Sequence, residues 1–302
     1  MVTIFRRSAG LAEDGLTSPD VVYNRFGALY GSYTMLLLER SDNTKVYVPL
    51  HVSGRHAVLG LYLVQISTAE SCELCDFVFR QFRVSKISWE YSLAPASGIC
   101  RNHLTNHWTL YLPQTKDELW ERMSSKSKQT LRRKERNLQK LLGVDALEFK
   151  EYSGRENISS SLVDTFFDYK RKLMAREYNM TAAEYLGRYH VTNAYTWTAN
   201  GALVSIVLTC EQGDDVYLEN LTYNPEYEKE SPGFLLYGKT VERLVEKHKR
   251  TLMCGGGQQV YKQKFASRES VCYNVERYRS LWAALPDYTR KAIAKLLRVV
   301  RH

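Results

Sequence analysis

Runs of alternating apolar and polar residues fill the first third of the chain and predict a mixed α+β region. Residues 33–40 and 45–52 have the composition of strands, and residues 41–44 (SDNT) between them are typical of a hairpin turn. We also predict strands over 57–66, 87–93 and 107–113, an amphipathic helix over 75–86, and a short helix over 21–31 that is capped by Ser18.

The middle of the chain has helical periodicity. Over residues 116–143, leucines recur at near-helical spacing and predict one or two helices that end at Gly143. A strand over 146–153 and a second long helix over 158–178 follow. This region therefore supplies helices between two strand-rich parts of the chain.

The last part of the chain changes to a strand meander and then a β-α-β unit. Three strands are predicted between residues 193 and 223, with turns at 200–201 and 212–214. A helix that opens at Phe234 leads to a strand over 250–255, which gives a sheet that we expect to be mostly parallel. Further predicted elements are a short helix over 258–266, a strand over 271–280 and a basic helix from Tyr288.

Length and composition indicate a globular protein of two domains. The chain has 302 residues, with 44% hydrophobic and 25% charged residues. No run reaches the roughly 18–20 apolar residues that span a bilayer, and the N-terminus lacks the apolar core of a signal peptide. We therefore expect a cytoplasmic location, peripheral at most to the inner membrane.

Cysteine and histidine spacings give little support for metal or redox chemistry. The 6 cysteines are too few for a disulfide scaffold, and Cys72 and Cys75 form a lone CxxC pair without a second one. His103 and His107 have metal-ligand spacing for a helix, but loop-forming residues surround them and no third ligand is evident. We expect no metal site, and we interpret both histidines as structural.

The formal net charge of +9 predicts attraction to anionic partners. The excess is concentrated: residues 126–140 carry seven basic residues and one acidic residue, and residues 288–302 carry five basic residues and none that is acidic. The first run is either a solvated helix face or a phosphate-binding surface. The second run is suited to lie on anionic lipid.

A candidate anion site lies where the predicted helix of the β-α-β unit begins. Ser231 has the chemistry of a helix N-cap, Pro232 suits the first helical position, and Gly233 would let a ligand approach the backbone. The amides of a helix start and the positive end of its dipole bind phosphate well. The alternative is an ordinary well-capped helix.

The strand over 250–255 supplies a second half to this candidate site. It runs into glycines 255–257, where side chains would obstruct a ligand, and Tyr261 and Lys262 follow on the short helix. Two splayed strands joined by a helix are able to hold an extended ligand through β-like hydrogen bonds. Cys254 is a conceivable nucleophile there, although packing is the more common role of such a cysteine.

Four segments occur in order between Trp108 and Ser280. They read LPQTKDELWERMSSKSKQTLRRKERNL, KLMAREY, GALVSIVLTCEQGDDVYLENLTYNPEYEKESPGFLLYGKTVERL and LMCGGGQQVYKQKFASRE. In this order they resemble the GNAT-like domain of CelD-type proteins of cellulose and polysaccharide biosynthesis, which is akin to the Fem-type peptidyltransferases. The first 107 or so residues are similar only in outline, as the divergent half of a duplicated GNAT-like fold.

The resemblance implies that an acyl group moves from acetyl-CoA or another acyl-CoA to an amine or hydroxyl, often on a carbohydrate or bacterial envelope precursor. This chain departs from the usual pattern of that family at two places. The usual pyrophosphate loop is Gln/Arg-x-x-Gly-x-Gly/Ala, whereas the corresponding turn here, EYEKESPGF, has a single glycine. In addition, Met253, Cys254 and Gln258 stand where relatives commonly place an acidic residue. The residues expected to bind the cofactor are Lys229, Ser231, Gly233, Phe234, Gly256 and Lys262.

The chemistry of acyl transfer assigns the catalytic roles. An attacking ammonium must lose a proton, and Glu219 on the central strand is the candidate base, with a solvent-facing or salt-bridged glutamate as the alternative. Tyr261 or Tyr223 is the candidate proton donor for the leaving thiolate, and backbone amides would polarise the thioester carbonyl. Candidate acceptor-binding residues are Lys126, Arg132, Arg133 and Arg136.

We therefore predict an α/β fold with mixed sheets and two GNAT-like domains in tandem, at 1–115 and 116–285, followed by a basic helix at 286–302. The predicted function is acyl-CoA-dependent N- or O-acyl transfer. A Fem-type aminoacyl-tRNA-dependent transferase and a non-catalytic membrane-surface or envelope protein remain alternatives. Nucleic acid other than tRNA is not expected, since no RNA- or DNA-binding motif is present.

Overall fold

The computed structural model forms two compact units. It describes residues 2–5, 26, 30–143, 146–174, 177–257, 260–265 and 267–289. The described residues up to Asn106 and those from Ser270 onward form the first unit, and His107–Glu269 form the second. The chain thus leaves the first unit once and returns to it, whereas the sequence predicted domains that follow one another at 115/116 and 285/286.

The first unit is built on a mixed sheet with the strand order β1-β2-β3-β4-β5-β12. Neighbouring strands are antiparallel except for β4 and β5, which are parallel. The strands are β1 (Val2–Phe5), β2 (Thr34–Glu39), β3 (Lys45–Ser53), β4 (His56–Leu59), β5 (Lys86–Ser92) and β12 (Arg268–Tyr278). Because β12 pairs with β5, with Tyr278 opposite Lys86, the end of the second half of the sequence belongs to this unit.

Helix α1 (Thr68–Gln81) packs on this sheet, and the local sequence explains where it begins. The Ser67 hydroxyl accepts a hydrogen bond from the Glu70 amide while the Glu70 carboxylate accepts one from the Ser67 amide, which is a capping box. The helix predicted over 75–86 therefore starts seven residues earlier. The strand predicted over 57–66 was too long, because it ends at Leu59 and Leu63 adopts a positive φ of 54°.

The predicted hairpin is confirmed. Strands β2 and β3 pair with Glu39 opposite Lys45, and Asn43 takes the left-handed conformation that such turns require. The helix predicted over 21–31 lies outside the described residues apart from Phe26 and Tyr30, which are helical, and Gly31, which is not. His103 and His107 both lie on strand β6 (Cys100–Tyr111) rather than on a helix.

A helix over 281–289, α8, ends the described part of the first unit. Its Ala284 is buried, and its Asp287 carboxylate accepts hydrogen bonds from the Lys86 ammonium at 2.7 Å and the Tyr278 hydroxyl at 2.9 Å. The predicted basic helix begins at Tyr288, so residues 290–302 of it lie outside the described residues.

The second unit is built on a sheet with the order β6-β11-β10-β9-β8-β7. Only β10 and β11 are parallel, so the sheet predicted to be mostly parallel is mostly antiparallel. After the end of β6, the strands are β7 (Leu147–Ser153), β8 (Asn193–Ala199), β9 (Ala202–Gln212), β10 (Asp215–Tyr223) and β11 (Thr251–Gly255). The two predicted turns join β8 to β9 and β9 to β10.

Helices cover this sheet through two apolar clusters. The helices are α2 (Lys116–Arg122), α3 (Ser125–Leu142), α4 (Ser160–Met174), α5 (Ala182–Arg188), α6 (Pro232–Glu246) and α7 (Val260–Lys264). Leu236, Val241 and Leu244 of α6 are fully buried in a cluster that includes residues of α2, α3 and the sheet. Phe166 of α4 and Tyr185 of α5 lie in the other cluster. The region predicted as one or two helices is two, because Ser124 caps α3.

An ion network fixes the C-terminal end of α6 to the sheet. The Lys247 ammonium lies 2.7 Å from a carboxylate oxygen of Glu151 and 2.7 Å from one of Glu211. The Arg243 guanidinium donates to the other Glu151 oxygen at 2.7 Å. Burial alone would raise the pKa of Glu151, but hydrogen bonds from Lys247 and Arg243 hold it below its usual value.

Lys247→Met is expected to lower the free energy of unfolding by about 2 kcal/mol, since it removes the ammonium that two partly buried carboxylates share. Urea denaturation followed by circular dichroism measures this change. Lys150→Met is the matched control, because Lys150 pairs with Glu148 in an exposed ion pair that contributes little to stability. Equal effects of the two substitutions would contradict the role of the network.

The same network predicts a dependence of stability on pH. The folded-state pKa of Glu151 lies below the value of 4.5 for the free side chain, so its contribution is present above that pH. The contribution is lost as the pH falls through the folded-state pKa. The wild-type protein should therefore lose more unfolding free energy between about pH 6 and pH 3 than Lys247→Met does.

Candidate transferase site

The main feature of the second unit is the separation of its two parallel strands. Strands β10 and β11 pair at only three positions, the last being Tyr217 opposite Met253. Strand β10 then continues to Tyr223 along β9, whereas β11 ends at Gly255. Tyr217 is the last residue of β10 that pairs with β11, so an extended ligand that added to this sheet would do so along the edge of β10 beyond Tyr217.

A β-bulge lies at the point where the strands separate. The register between β10 and β9 shifts between Leu218 and Asn220, which places Glu219 in the bulge. Bulges redirect side chains and are common beside active sites. The candidate base predicted from the sequence therefore lies at the start of the split, by which we mean the region beyond Tyr217 and Met253 where β10 and β11 are no longer paired.

Asn220 and Tyr185 form a polar pair next to the bulge. The Asn220 side-chain amide donates to the Tyr185 hydroxyl at 3.0 Å, and the Asn220 side-chain oxygen accepts from the Leu221 amide. Burial raises the pKa of Tyr185, and the negative charge of Glu219 adds to this shift. This pair was not predicted from the sequence, although a polar residue directly after a central-strand glutamate is a usable signal.

Tyr223 lies at the carboxyl end of β10, half-buried. Burial raises its pKa, and the neighbouring Glu228 carboxylate raises it further. The phenol is therefore protonated at neutral pH, as a proton donor to a leaving thiolate must be. Tyr223 and Glu219 are on the same strand, and the structure brings both to the split.

The turn before α6 differs from the predicted cap. Ser231 occupies the N-cap position in the left-handed conformation, with φ 52° and ψ 53°, and its side chain makes no capping hydrogen bond. Its carbonyl oxygen instead accepts from the amides of Phe234 and Leu235. The prediction of a side-chain cap was wrong, because a left-handed residue turns its hydroxyl away from the first helical amides.

Gly233 is explained by packing rather than by an open backbone. It is buried, and a Cβ atom there would lie 2.8 Å from a Leu221 methyl group and 2.9 Å from the Tyr223 ring. The glycine thus allows α6 to pack closely on β10 beside the split. The prediction that Gly233 lets a ligand approach is not supported by this position.

The positive charge around this turn comes mainly from neighbouring helices. The 3₁₀ helix Pro225–Glu230 that leads into Ser231 carries three glutamates and the exposed Lys229. The Lys134 ammonium of α3 donates to the Lys229 carbonyl at 2.7 Å, and the Lys264 ammonium lies 5.0 Å from the centre of the half-buried Phe234 ring. Lys134 was not among the predicted residues, although it lies within the basic run.

The end of β11 contains a buried polar cluster. The Cys254 thiol lies 3.2 Å from the Tyr237 hydroxyl, and burial raises the pKa of this thiol to about 11. A thiol that stays protonated and buried is a poor nucleophile, which favours packing as the role of Cys254. The Trp108 indole donates to the Gly257 carbonyl at 2.9 Å.

Lys262 belongs to this cluster rather than to an open binding surface. Its side chain is only 2% exposed, and its ammonium donates to the carbonyls of Gly255 and Gly256. Burial lowers its pKa. Lys262 and Gly256 therefore hold the glycine turn together, which is a structural use of two residues predicted to bind cofactor. Tyr261 lies in α7, and its side chain is outside what the structure describes.

The four residues predicted to bind the acceptor share the exposed face of α3. The opposite face carries Leu131 and Leu138, both buried. Among the described residues, no carboxylate lies within ion-pair distance of the four cations, and Arg132 and Arg136 line an open groove along the helix. The four residues are Lys126, Arg132, Arg133 and Arg136.

Two kinds of feature are absent from the described residues. They contain no group of three or more histidine, cysteine, aspartate or glutamate side chains placed to hold a metal ion. They also contain no helix with the length and apolar character needed to cross a membrane.

Comparison with known proteins identifies the fold of this site. Residues 125–263 match the family model of the acetyltransferase (GNAT) domain, and this stretch includes α3, the split strands and α6. None of the curated proteins compared with the chain matches it in sequence. The matched residues lie within the second unit.

Solved structures with low sequence identity share the fold. FemX has a TM-score of 0.58 at 8% identity, over 85% of this chain and 90% of that one. L-PGS from Bacillus licheniformis has a TM-score of 0.54 at 11% identity, over 88% and 90%. The C-terminal domain of a putative lysylphosphatidylglycerol synthetase from Agrobacterium fabrum has a TM-score of 0.53 at 9% identity, over 89% and 95%.

The prediction of an α/β fold of the GNAT type, related to the Fem-type fold, is confirmed by the family match and by these structures. The comparisons do not distinguish the CelD type. At these identities the solved structures establish the fold of the chain and not its substrate.

Gly233→Ala is expected to lower the free energy of unfolding by about 2 kcal/mol, because the new methyl group meets two side chains of β10. Thermal or urea denaturation measures the change. The matched control is Gly187→Ala in α5, where the atoms nearest to the new methyl group belong to the guanidinium at the far end of the Arg155 side chain. Since alanine is the better helix former, the control should be neutral or stabilising. A neutral Gly233→Ala would instead favour an open backbone there.

Proposed function

We propose that the chain transfers an acyl group from an acyl-CoA thioester to an amine or hydroxyl of a carbohydrate or cell-envelope precursor. The observation that supports this most directly is the split between β10 and β11, which has a bulged glutamate at its start and a tyrosine at its end. An acyl donor would lie in the split and hydrogen-bond to backbone groups of β10 beyond Tyr217.

The roles follow from the positions on β10. Glu219 would take the proton that the acceptor nitrogen or oxygen loses as it attacks the thioester carbonyl. Tyr223, which its raised pKa keeps protonated, would give a proton to the departing CoA thiolate. Backbone amides at the bulge would stabilise the oxyanion of the tetrahedral intermediate. Tyr261 remains a second candidate donor by its place in the sequence.

The phosphates of the donor would lie near the start of α6. Lys229 and the ammonium groups of Lys134 and Lys264 supply positive charge there, together with the helix dipole. The exposed cations of α3 would bind the phosphate of the acceptor, since guanidinium groups bind phosphate in a bidentate manner. We place this activity in the cytoplasm.

A Fem-type aminoacyl-tRNA-dependent reaction is the second candidate. Two observations favour it over the CoA reaction: three glutamates precede Ser231, and the Phe234 and Leu235 amides already bond to the Ser231 carbonyl. Both features lower the affinity that this turn would have for the pyrophosphate of CoA. The basic face of α3 would then contact the tRNA backbone.

Ligand-dependent thermal stability separates the two donors. Acetyl-CoA at about 100 times its dissociation constant adds about 2.7 kcal/mol, which for a protein of this size raises the melting temperature by roughly 5 °C. We expect this shift with acetyl-CoA and none with aminoacyl-tRNA. The reverse pattern would establish the tRNA reaction as the better proposal, and no shift with either would favour a non-catalytic protein.

Glu219→Gln should lower kcat by about 10²- to 10⁴-fold with little change in the acetyl-CoA thermal shift, because the substitution removes the base and keeps the side-chain shape. The measurement is release of free CoA with a panel of amino sugars. Glu226→Gln, an exposed glutamate of the following turn, is the matched control and should leave kcat unchanged. If both variants have the same kcat as the wild type, Glu219 is not the base.

A further inference from the structure

The helix α8 presents an unusual apolar face on the surface of the first unit. Trp282 is 83% exposed, Leu281 is 71% exposed and Leu285 is 50% exposed. At 100° per residue these three side chains lie within one third of the helix circumference. A cluster of this kind costs free energy in water and marks a contact surface.

The opposite face of α8 is fixed to the rest of the first unit. Ala284 is fully buried, Asp287 bonds to Lys86 and Tyr278, and the Arg101 guanidinium lies 4.4 Å from the centre of the Tyr288 ring. The apolar face is therefore held in place on a folded unit and is not the loose end of a chain.

The sequence after α8 indicates which partner fits this face. Residues 290–302 contain five basic residues and none that is acidic. Exposed tryptophan and leucine side chains that are followed by a run of lysine and arginine are typical of segments that lie in the interface of an anionic bilayer.

We propose that the face formed by Leu281, Trp282 and Leu285 is a membrane-docking surface that inserts into the interface of a bilayer rich in anionic phospholipid. The basic residues that follow contribute attraction to the lipid headgroups. This surface contains no residue of the candidate transferase site, so the proposal and the proposed chemistry can fail independently of each other.

Co-sedimentation with large unilamellar vesicles tests the proposal in the full chain. We expect binding to vesicles of 70% phosphatidylcholine and 30% phosphatidylglycerol to be at least about tenfold stronger than binding to pure phosphatidylcholine, and to weaken as salt is raised. The combined variant Leu281→Ser, Trp282→Ser and Leu285→Ser should lose about tenfold or more in partition coefficient. All three residues are exposed, and an unchanged melting temperature checks that the variant is folded.

Met174→Ser is the matched control, because Met174 is an apolar helix residue that is 62% exposed and lies in the second unit. It should bind vesicles like the wild type. Equal losses in the control and the triple variant, or unchanged binding of the triple variant, would overturn the proposal. So would a loss caused only by Arg132→Glu, Arg133→Glu and Arg136→Glu together, which would assign the docking to α3.

Tryptophan fluorescence reports on the docked residue directly. The chain has 5 tryptophans. Trp89, Trp108 and Trp197 are buried, and Trp120 is partly buried and donates to Glu242, so Trp282 is the one that responds most to lipid. Anionic vesicles should shift the emission to the blue in the wild type, and Trp282→Phe should bind while losing the shift. A dimer that forms without vesicles and is abolished by the triple variant would assign the face to a second copy instead.

Discussion

The early end of the pairing between β10 and β11 is the constraint on which the site depends. Two parallel strands that stayed paired to their ends would satisfy each other's backbone groups and leave no edge for a ligand. Here the pairing ends at Tyr217 and Met253. Each strand has a register shift near that point, β10 against β9 and β11 against β6. Beyond it, the end of β10 and the glycine-containing end of β11 are not paired with each other. The shifts occur because a bulge adds a residue to one strand and bends it away from its neighbour.

Helix α6 connects the two strands and holds the split in its present geometry. At its start, Gly233 lets the helix lie directly on the Leu221 and Tyr223 side chains. At its end, Lys247 and Arg243 join it to carboxylates of β7 and β9. The apolar face between these ends is buried along its length. Both ends of α6 are thus held against the sheet on either side of its buried apolar face.

The charges of the chain are divided according to their use. Lys247 and Arg243, at the far end of α6, bind carboxylates and stabilise the fold. The four exposed cations of α3 named above have no carboxylate within ion-pair distance among the described residues, and Lys134 of the same helix contacts the turn before α6. Lys262, although basic, is used inside the protein on two backbone carbonyls. Net charge alone therefore does not tell which lysines and arginines meet a ligand.

The sequence by itself determined most of the helices and strands, the β-α-β unit, the GNAT resemblance and the place of Glu219 and Tyr223 on one strand. These follow from local signals, since periodicity, turn residues and motif order are written along the chain. The tertiary structure alone decided that Gly233 is a packing residue, that Lys262 is buried, that Ser231 is left-handed and that β12 returns to the first unit. Each of these depends on a neighbour distant in sequence, such as Leu221 for Gly233 or β5 for β12. The pattern of residues along the sequence does not give the spatial distance between two residues that lie far apart in the chain. Close packing and burial were therefore not predicted from it.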